Sequence, residues 1–243
     1  YAGYNSTLIM NGGAVTDNYS NANGGGVYIG IYDNDTENTT FVMNGGLIAN
    51  NIANGTGGGV YATHAQITMN GGEIFRNRST DNGGGICLRG SETGTPTTFT
   101  MGGGKITNNI TYGSGGGISS TLAKIIMNGG EVSHNGTDNR NVNHSGGIHL
   151  ITKSEMEMNG GIISDNKAVH AGGVCVSEES KFTLNNGAIT RNFANLSADL
   201  GVGNSGAVHV IGNSTFIMNG GELTDNYARG NGGATYQSGK NTF

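Results

Sequence analysis

Four ionisable residues in the second half of the chain recur at a spacing that could bring them together. His134, Asp165, Arg191 and Asp225 are 31, 26 and 34 residues apart, and each directly precedes an asparagine. If the chain coils with one such residue per turn, Asp165 and Asp225 lie two turns or about 10 Å apart, near the upper end for the carboxylates of an inverting glycosidase. Arg191 stands between them, as in a surface salt-bridge column, and would keep both acids ionised.

A second set of residues has the chemistry of metal ligands. His149, Cys175 and His209 each follow an aliphatic residue of a predicted strand, so we expect them to face outward on three consecutive turns. Imidazole and thiolate ligate Zn²⁺ or softer metals, or form a Cys-His nucleophilic pair. The outer two would be roughly 10 Å apart, which disfavours a single ion. A divalent metal is the one cofactor that the sequence suggests, and an exposed face without chemistry is the alternative.

Tyr28 and Tyr61 occupy the same outward column nearer the N-terminus, beside the acidic insertion "YDNDTEN". Since tyrosine rings stack on sugars and on protein partners, we predict ligand binding by Tyr28 and Tyr61 with Asp33 and Asp35 of the insertion. The acidic residues could also bind Ca²⁺ weakly, although the segment lacks the glycine and terminal glutamate of an EF-hand loop. A solvated polar loop is the alternative.

The two cysteines are predicted to be free thiols. Cys87 and Cys175 fall in this outward column three turns apart. That is about 14 Å, whereas a disulfide requires Cα atoms within about 7 Å. The stability of the chain is therefore not expected to depend on a disulfide.

An internal repeat positions all of these residues. The phrase "MNGG" or a close variant occurs eight times, and its first residue marks each unit: Met10, Met43, Met69, Met101, Met127, Met158, Leu184 and Met218. The shortest spacing between markers is 26 residues, and alternate units carry insertions beside the glycine run. Insertions of this kind belong in loops, and a repeat of this length indicates a solenoid.

Alternation within each unit predicts three short strands. Large apolar residues stand two before the marker, as in Phe41 and Phe99, and aliphatic residues stand five after it, as in Ile48 and Ile74. A third strand follows the glycine run, as in "GGGVYI". A period of two is typical of strands that bury one face. We predict an all-β fold, a single right-handed parallel β-helix of about eight rungs of three strands.

An asparagine occurs eight residues after every marker. Because it recurs where the insertions do not, we predict a ladder in which each side-chain amide hydrogen-bonds those of the neighbouring rungs. Its members are Asn18, Asn51, Asn77, Asn109, Asn135, Asn166, Asn192 and Asn226. Residues 1–243 are thus predicted to form one domain, which we expect to be a segment of a longer repeat protein whose own flanking repeats pack against both ends.

The amino-acid composition limits the classes of partner that we expect. Twelve basic and seventeen acidic residues give a net charge of -5, and the basic residues do not cluster, so nucleic acid is not expected as a partner. No run of apolar residues is long enough to insert directly into a membrane.

The motifs "GGAVTDN" and "GGGVY" resemble the right-handed parallel β-helix repeats of bacterial surface proteins. Their form is similar to the GGA-aliphatic and F-x-x-N motifs of polymorphic outer-membrane proteins, with Val15 or Ile189 in place of the phenylalanine. The resemblance covers nearly the whole chain. It implies a stalk or adhesin on the bacterial cell surface that binds a host protein or glycan through its loops. The wider pectate-lyase-like superfamily shares the coil and includes polysaccharide lyases and hydrolases.

Three functions follow from these observations. The leading interpretation is a non-enzymatic extracellular stalk or adhesin, because nearly every residue has a scaffold position. The alternatives are a polysaccharide lyase or glycoside hydrolase that uses Asp165, Asp225, Arg191 and His134, and a metal-binding surface module at His149, Cys175 and His209.

Overall fold

The protein is a β-helix-like solenoid. The computed structural model describes residues 1–30, 39–93, 96–138, 145–194, 203–239 and 242. In this part of the chain, 32 short strands form four parallel sheets of eight strands each, and the chain visits the four sheets in turn on every rung. The predicted all-β class, the eight rungs and the parallel stacking are confirmed.

The sheets are numbered in the order in which the chain enters them. Sheet 1 contains the marker residues, and its strands are Thr7–Met10, Thr39–Met43, Ala65–Met69, Thr97–Met101, Ala123–Met127, Glu155–Met158, Lys181–Leu184 and Thr215–Met218. Sheet 2 follows the "NGG" corner, and its strands are Ala14–Thr16, Leu47–Ala49, Glu73–Phe75, Lys105–Thr107, Glu131–Ser133, Ile162–Ser164, Ala188–Thr190 and Glu222–Thr224.

Sheets 3 and 4 complete each rung. Sheet 3 directly follows the asparagine ladder, and its strands are Tyr19–Ser20, Ile52–Ala53, Arg78–Ser79, Ile110–Thr111, Gly136–Thr137, Lys167–Ala168, Phe193–Ala194 and Tyr227–Ala228. Sheet 4 follows the glycine run, and its strands are Val27–Gly30, Val60–Thr63, Ile86–Arg89, Ile118–Thr121, Ile148–Ile151, Val174–Val176, Val208–Ile211 and Thr235–Ser238.

The prediction of three strands per rung is wrong, because each rung has four. The additional strands are those of sheet 3, each two residues long. A two-residue strand is too short for an alternating pattern, so its sequence is not distinguishable from a loop.

The core consists of apolar columns that repeat from rung to rung. Phe41, Phe99, Phe182 and Phe216 are almost completely buried, and the rings of Phe182 and Phe216 stack with centroids 5.1 Å apart. Aliphatic columns from sheets 2 and 4 fill the rest of the interior. Burial of each such side chain contributes roughly 1.5 to 3 kcal/mol, so columns of large apolar residues stabilise a chain that is only 34% hydrophobic.

The "MNGG" phrase has a packing explanation. The glycine three residues after each marker has a φ between 77° and 103°, a conformation that favours glycine. The methyl group of the preceding rung's marker methionine lies against it: a Cβ added at Gly130 would lie 2.5 Å from Met101 Cε, and one added at Gly72 would lie 2.7 Å from Met43 Cε. The methionine therefore fills the space that a side chain on the next rung would need.

The predicted asparagine ladder is confirmed in detail. Asn51 is representative: its Oδ1 accepts hydrogen bonds from the backbone N–H and the Nδ2 of Asn18, at 3.0 and 2.9 Å. Its Nδ2 donates to Asn77 Oδ1 at 2.9 Å and to the Val15 carbonyl at 2.8 Å. All four hydrogen-bonding positions of the buried amide are thus used, and no polar group of the amide is left without a partner.

A second asparagine ladder, which the sequence did not predict, runs along the protein surface. It is formed by the asparagines that follow the markers: Asn11, Asn44 and Asn70, then Asn128, Asn159, Asn185 and Asn219. Their side-chain amides are hydrogen-bonded at 2.8 to 2.9 Å. Gly102 occupies the gap between the two parts.

Substitution of a buried ladder residue should destabilise the protein strongly. Asn109→Ala removes the acceptor of two donors of Asn77 and the donor to the Ile74 carbonyl, all in the interior. Since each unsatisfied group costs about 1 to 3 kcal/mol, we expect the free energy of unfolding, measured with urea, to fall by at least about 3 kcal/mol. Asn159→Ala, in the exposed outer ladder, should cost under about 1 kcal/mol. Equal losses would contradict this account.

Completion of the outer ladder should stabilise the protein. In Gly102→Asn the new Cβ lies no closer than 3.6 Å to Asn70 Oδ1, and its amide can bond those of Asn70 and Asn128. We expect the free energy of unfolding, measured by thermal or urea unfolding, to rise by about 0.5 to 1 kcal/mol. The control is Gly104→Asn, where φ is 85° and a Cβ would lie 2.7 Å from Met69 Cε. The control should be destabilised, and a gain in both variants would contradict the explanation.

Candidate functional site: a groove at the asparagine bend

The residue before each ladder asparagine has a left-handed backbone. We call these residues the bend column, and all have φ between 52° and 60°: Asp17, Asn50, Arg76, Asn108, His134, Asp165, Arg191 and Asp225. Asn and Asp tolerate this conformation better than other non-glycine residues, and they occupy five of the eight positions. The column that sequence analysis singled out for catalysis therefore also has a backbone requirement.

Beside the bend column runs an open groove. Two hollows of about 340 Å³ each lie next to one another and share Asn108, Ile110 and Asp138. The first hollow is also lined by His134, Asn135, Gly136, Thr137, Asp165 and Lys167, and the second by Arg76, Asn77 and Arg78. We call this surface the bend groove. It spans the third to the sixth rung, which is about 14 Å at the usual strand spacing.

The first hollow exists because one side chain is missing from sheet 3. Ile110, Gly136 and Lys167 are in register on successive rungs. Ile110 is 42% exposed and Lys167 is also exposed, whereas Gly136 between them presents no side chain. The gap opens towards His134 and Asp165 of the bend column.

Both carboxylates of the groove are paired with arginines. Arg191 binds Asp165 through two hydrogen bonds, Nε to Oδ1 at 3.1 Å and Nη2 to Oδ2 at 2.9 Å. Arg78 lies 3.4 Å from Asp138. Partial burial alone would raise the pKa of Asp165, but hydrogen bonds from Arg191 and Ser164 and the charge of Arg191 outweigh it, and the pKa is lowered. Asp165 is thus held as an ionised acceptor, which is unsuitable for a general acid.

Aromatic side chains lie near the groove but do not line it. The Arg78 guanidinium lies 4.5 Å from the ring centroid of Tyr112, whose side chain is exposed. Further along sheet 3, the rings of Phe193 and Tyr227 stack with centroids 4.9 Å apart. An elongated surface with polar side chains, the exposed Ile110 side chain and a nearby exposed ring at Tyr112 can bind the hydroxyls and the apolar faces of sugars.

The predicted metal residues lie in one column, but the expectation that they are exposed is wrong. His149, Cys175 and His209 pair in register in sheet 4, and each is less than 5% exposed. His149 Nε2 lies 3.0 Å from Ser177 Oγ, and the His209 ring lies 5.4 Å from that of Tyr236. Among the described residues, no group of three or more His, Cys, Asp or Glu side chains is arranged to hold a metal ion.

The prediction of free thiols is confirmed, and both thiols are buried. Desolvation raises the pKa of Cys87 to about 11 against a smaller opposing effect of a hydrogen bond with Thr56. Desolvation raises the pKa of Cys175 further. A thiolate is the form that binds metals and acts as a nucleophile, and burial disfavours it at both positions.

The tyrosines predicted to bind a ligand contact one another. The rings of Tyr28 and Tyr61 have centroids 5.0 Å apart, and the Tyr1 ring, tilted by 32°, lies 5.3 Å from that of Tyr28. Tyr61 is only 4% exposed, so its ring face is not open to a sugar. Asp33 and Asp35 lie outside the described residues.

Sequence analysis identified bend-column residues of the groove and missed the residues that sheet 3 contributes. Asp165 and His134 line the first hollow, whereas Arg191 and Asp225 line neither hollow. Lys167, Arg78 and Gly136 were missed because they belong to the unpredicted sheet 3. The available signal was Gly136, a glycine directly after a ladder asparagine where other units have a side chain.

The chain matches no protein-family model, no curated protein and no solved structure. Within the described ranges, no helix has the length and apolar character needed to cross a membrane.

Removal of the Arg191 charge should raise the pKa of Asp165. Arg191→Gln deletes both hydrogen bonds to the carboxylate, so the titration midpoint should move up, as followed by NMR of the carboxyl carbon. Because the folded-state pKa is lowered, the pair stabilises the wild-type fold at neutral pH, and this contribution disappears as the pH falls through that pKa. Lys181→Gln, in sheet 1, is the control and should leave the midpoint unchanged. An unchanged midpoint in Arg191→Gln would refute the assignment.

Proposed function

We propose that this chain is part of a non-enzymatic extracellular protein of the bacterial cell surface, a right-handed β-helical stalk or adhesin whose bend groove binds an extended glycan. The observation that carries the proposal is the bend groove itself, an open surface about 14 Å long that runs across successive rungs. A polysaccharide is a ligand that repeats along a line, and the groove repeats its polar side chains along a line. The family resemblance of the repeat supports the location and the adhesive role.

The state of the carboxylates favours binding over turnover. An inverting hydrolase requires one carboxyl group that is protonated near neutral pH. Asp165 is instead bound by Arg191 at two atoms, with a lowered pKa. Such a carboxylate is a good acceptor for sugar hydroxyls, and it is a poor proton donor.

The proposal is tested by a glycan-array screen of the folded chain, with a reducing-end assay on every glycan that binds. We expect binding without release of reducing ends. Gly136→Ile should fill the first hollow and weaken binding at least about tenfold, equivalent to about 1.4 kcal/mol. At Gly136 φ is not left-handed, and the nearest atom to an added Cβ is the Lys167 carbonyl oxygen at 3.3 Å, a tight contact that requires a shift of a few tenths of an ångström.

The control for this test is Gly102→Asn, which adds a side chain to a different surface and should bind as the wild type does. Turnover that is lost in Asp165→Asn or Asp225→Asn would replace the proposal with a hydrolase or lyase. Absence of binding to every glycan, or equal binding by Gly136→Ile, would overturn the assignment of the groove.

A further inference from the structure

The charges of the bend groove are not balanced once its ion pairs are counted. Asp138 is paired with Arg78, and Asp165 is paired with Arg191. Among the described residues, no carboxylate forms an ion pair with Arg76 or Lys167, the other two charged side chains of the lining. Both lie at the surface. The groove thus carries two uncompensated cations on a chain whose net charge is -5.

These two cations lie at opposite ends of the groove. Lys167 borders the first hollow, in register with the gap at Gly136. Arg76 borders the second hollow, and its guanidinium lies 4.8 Å from the Phe75 ring centroid. Three rungs separate them, or about 14 Å along the axis. A ligand that meets both must carry its negative charges on separate units of an extended chain.

We propose that the bend groove selects glycans with acidic groups, carboxylate or sulfate, on separate sugar residues. The proposal rests on the glycan-binding function above and specifies the ligand class. The Lys167 ammonium pairs with an acidic group of the sugar in the Gly136 gap, and the Arg76 guanidinium binds a second one farther along the chain. The paired carboxylates of Asp165 and Asp138 remain available to sugar hydroxyls, because each keeps free acceptor positions beside its arginine. The Asn108 amide lines both hollows and can also bind a hydroxyl.

Ion pairs in the exposed groove distinguish acidic glycans from neutral ones. Pairing at the two cations adds charge-assisted hydrogen bonds that a neutral sugar of the same shape cannot form. The contribution is screened by salt, so the preference for acidic glycans should decline as ionic strength rises. A neutral glycan should show little dependence on salt.

The test uses three forms of one oligosaccharide of equal length. The probes are a chondroitin sulfate hexasaccharide, the same chain after desulfation, and the desulfated chain with its carboxylates methyl-esterified. Binding is measured by calorimetry at two salt concentrations, for the wild type, Lys167→Gln and Arg76→Gln. Lys181→Gln is the matched control, since it removes one exposed lysine charge from sheet 1, outside the groove.

We expect the acidic probes to bind at least about tenfold more tightly than the ester, and Lys167→Gln and Arg76→Gln each to remove a substantial part of that advantage. Comparison of the sulfated and desulfated chains identifies which acidic group is bound. Equal affinity for the acidic and esterified chains would overturn the inference and leave the proposed function intact. A loss as large in Lys181→Gln would also overturn it, as non-specific attraction. Failure to bind any glycan on the array would overturn both proposals.

Discussion

The structure depends on one constraint, that the chain must turn a corner inside the protein without leaving backbone groups unpaired. On each of the six inner rungs a buried asparagine meets this constraint. Its Oδ1 accepts two hydrogen bonds from the rung before, and its Nδ2 donates one to the next asparagine and one back to a strand carbonyl, as at Asn77 and Asn109. An unsatisfied amide at such a corner would cost about 1 to 3 kcal/mol for each group. Because the bonds join neighbouring rungs, the asparagine also fixes their register, and the phenylalanine and isoleucine columns follow from that register.

The groove is a consequence of the same corner. An asparagine that points inward requires a left-handed residue before it and an outward residue after it, so two outward columns flank the ladder on every rung. The scaffold leaves the residue type in these columns open within the backbone preference, which permits Arg76, His134 and Lys167 where other rungs have Asn50 or Ile52. Rungs three to six combine these choices with a missing side chain at Gly136. The scaffold thereby positions polar groups at one-rung spacing without any change to its core.

The features that recur in every unit could be predicted from the sequence. The two-residue strands of sheet 3 and the burial of the outward-facing residues of sheet 4 could not. The markers, the inward columns and the ladder residue Asn135 were found because each recurs in every unit. Sheet 3 was missed because two residues have no period, and with it Lys167 and Arg78. Cys175 and His209 were placed on the outside of the coil from alternation, yet alternation reports the side of a strand and does not report whether other parts of the chain cover that side. The outer ladder was visible in "MNGG" but has no hydrophobic signal.

The central claim is that the inner amide ladder is a buried, fully bonded structure and that the outer one is a surface feature. The most direct measurement is exchange of side-chain amide protons with D₂O, followed by NMR of the uniformly labelled protein. The account predicts that the Nδ2 protons of Asn51, Asn77, Asn109, Asn135, Asn166 and Asn192 exchange slowly, because the asparagines are no more than 1% exposed. Those of Asn44, Asn159 and Asn185 should exchange rapidly, since these residues lie at the surface. Rapid exchange in both sets would contradict the account.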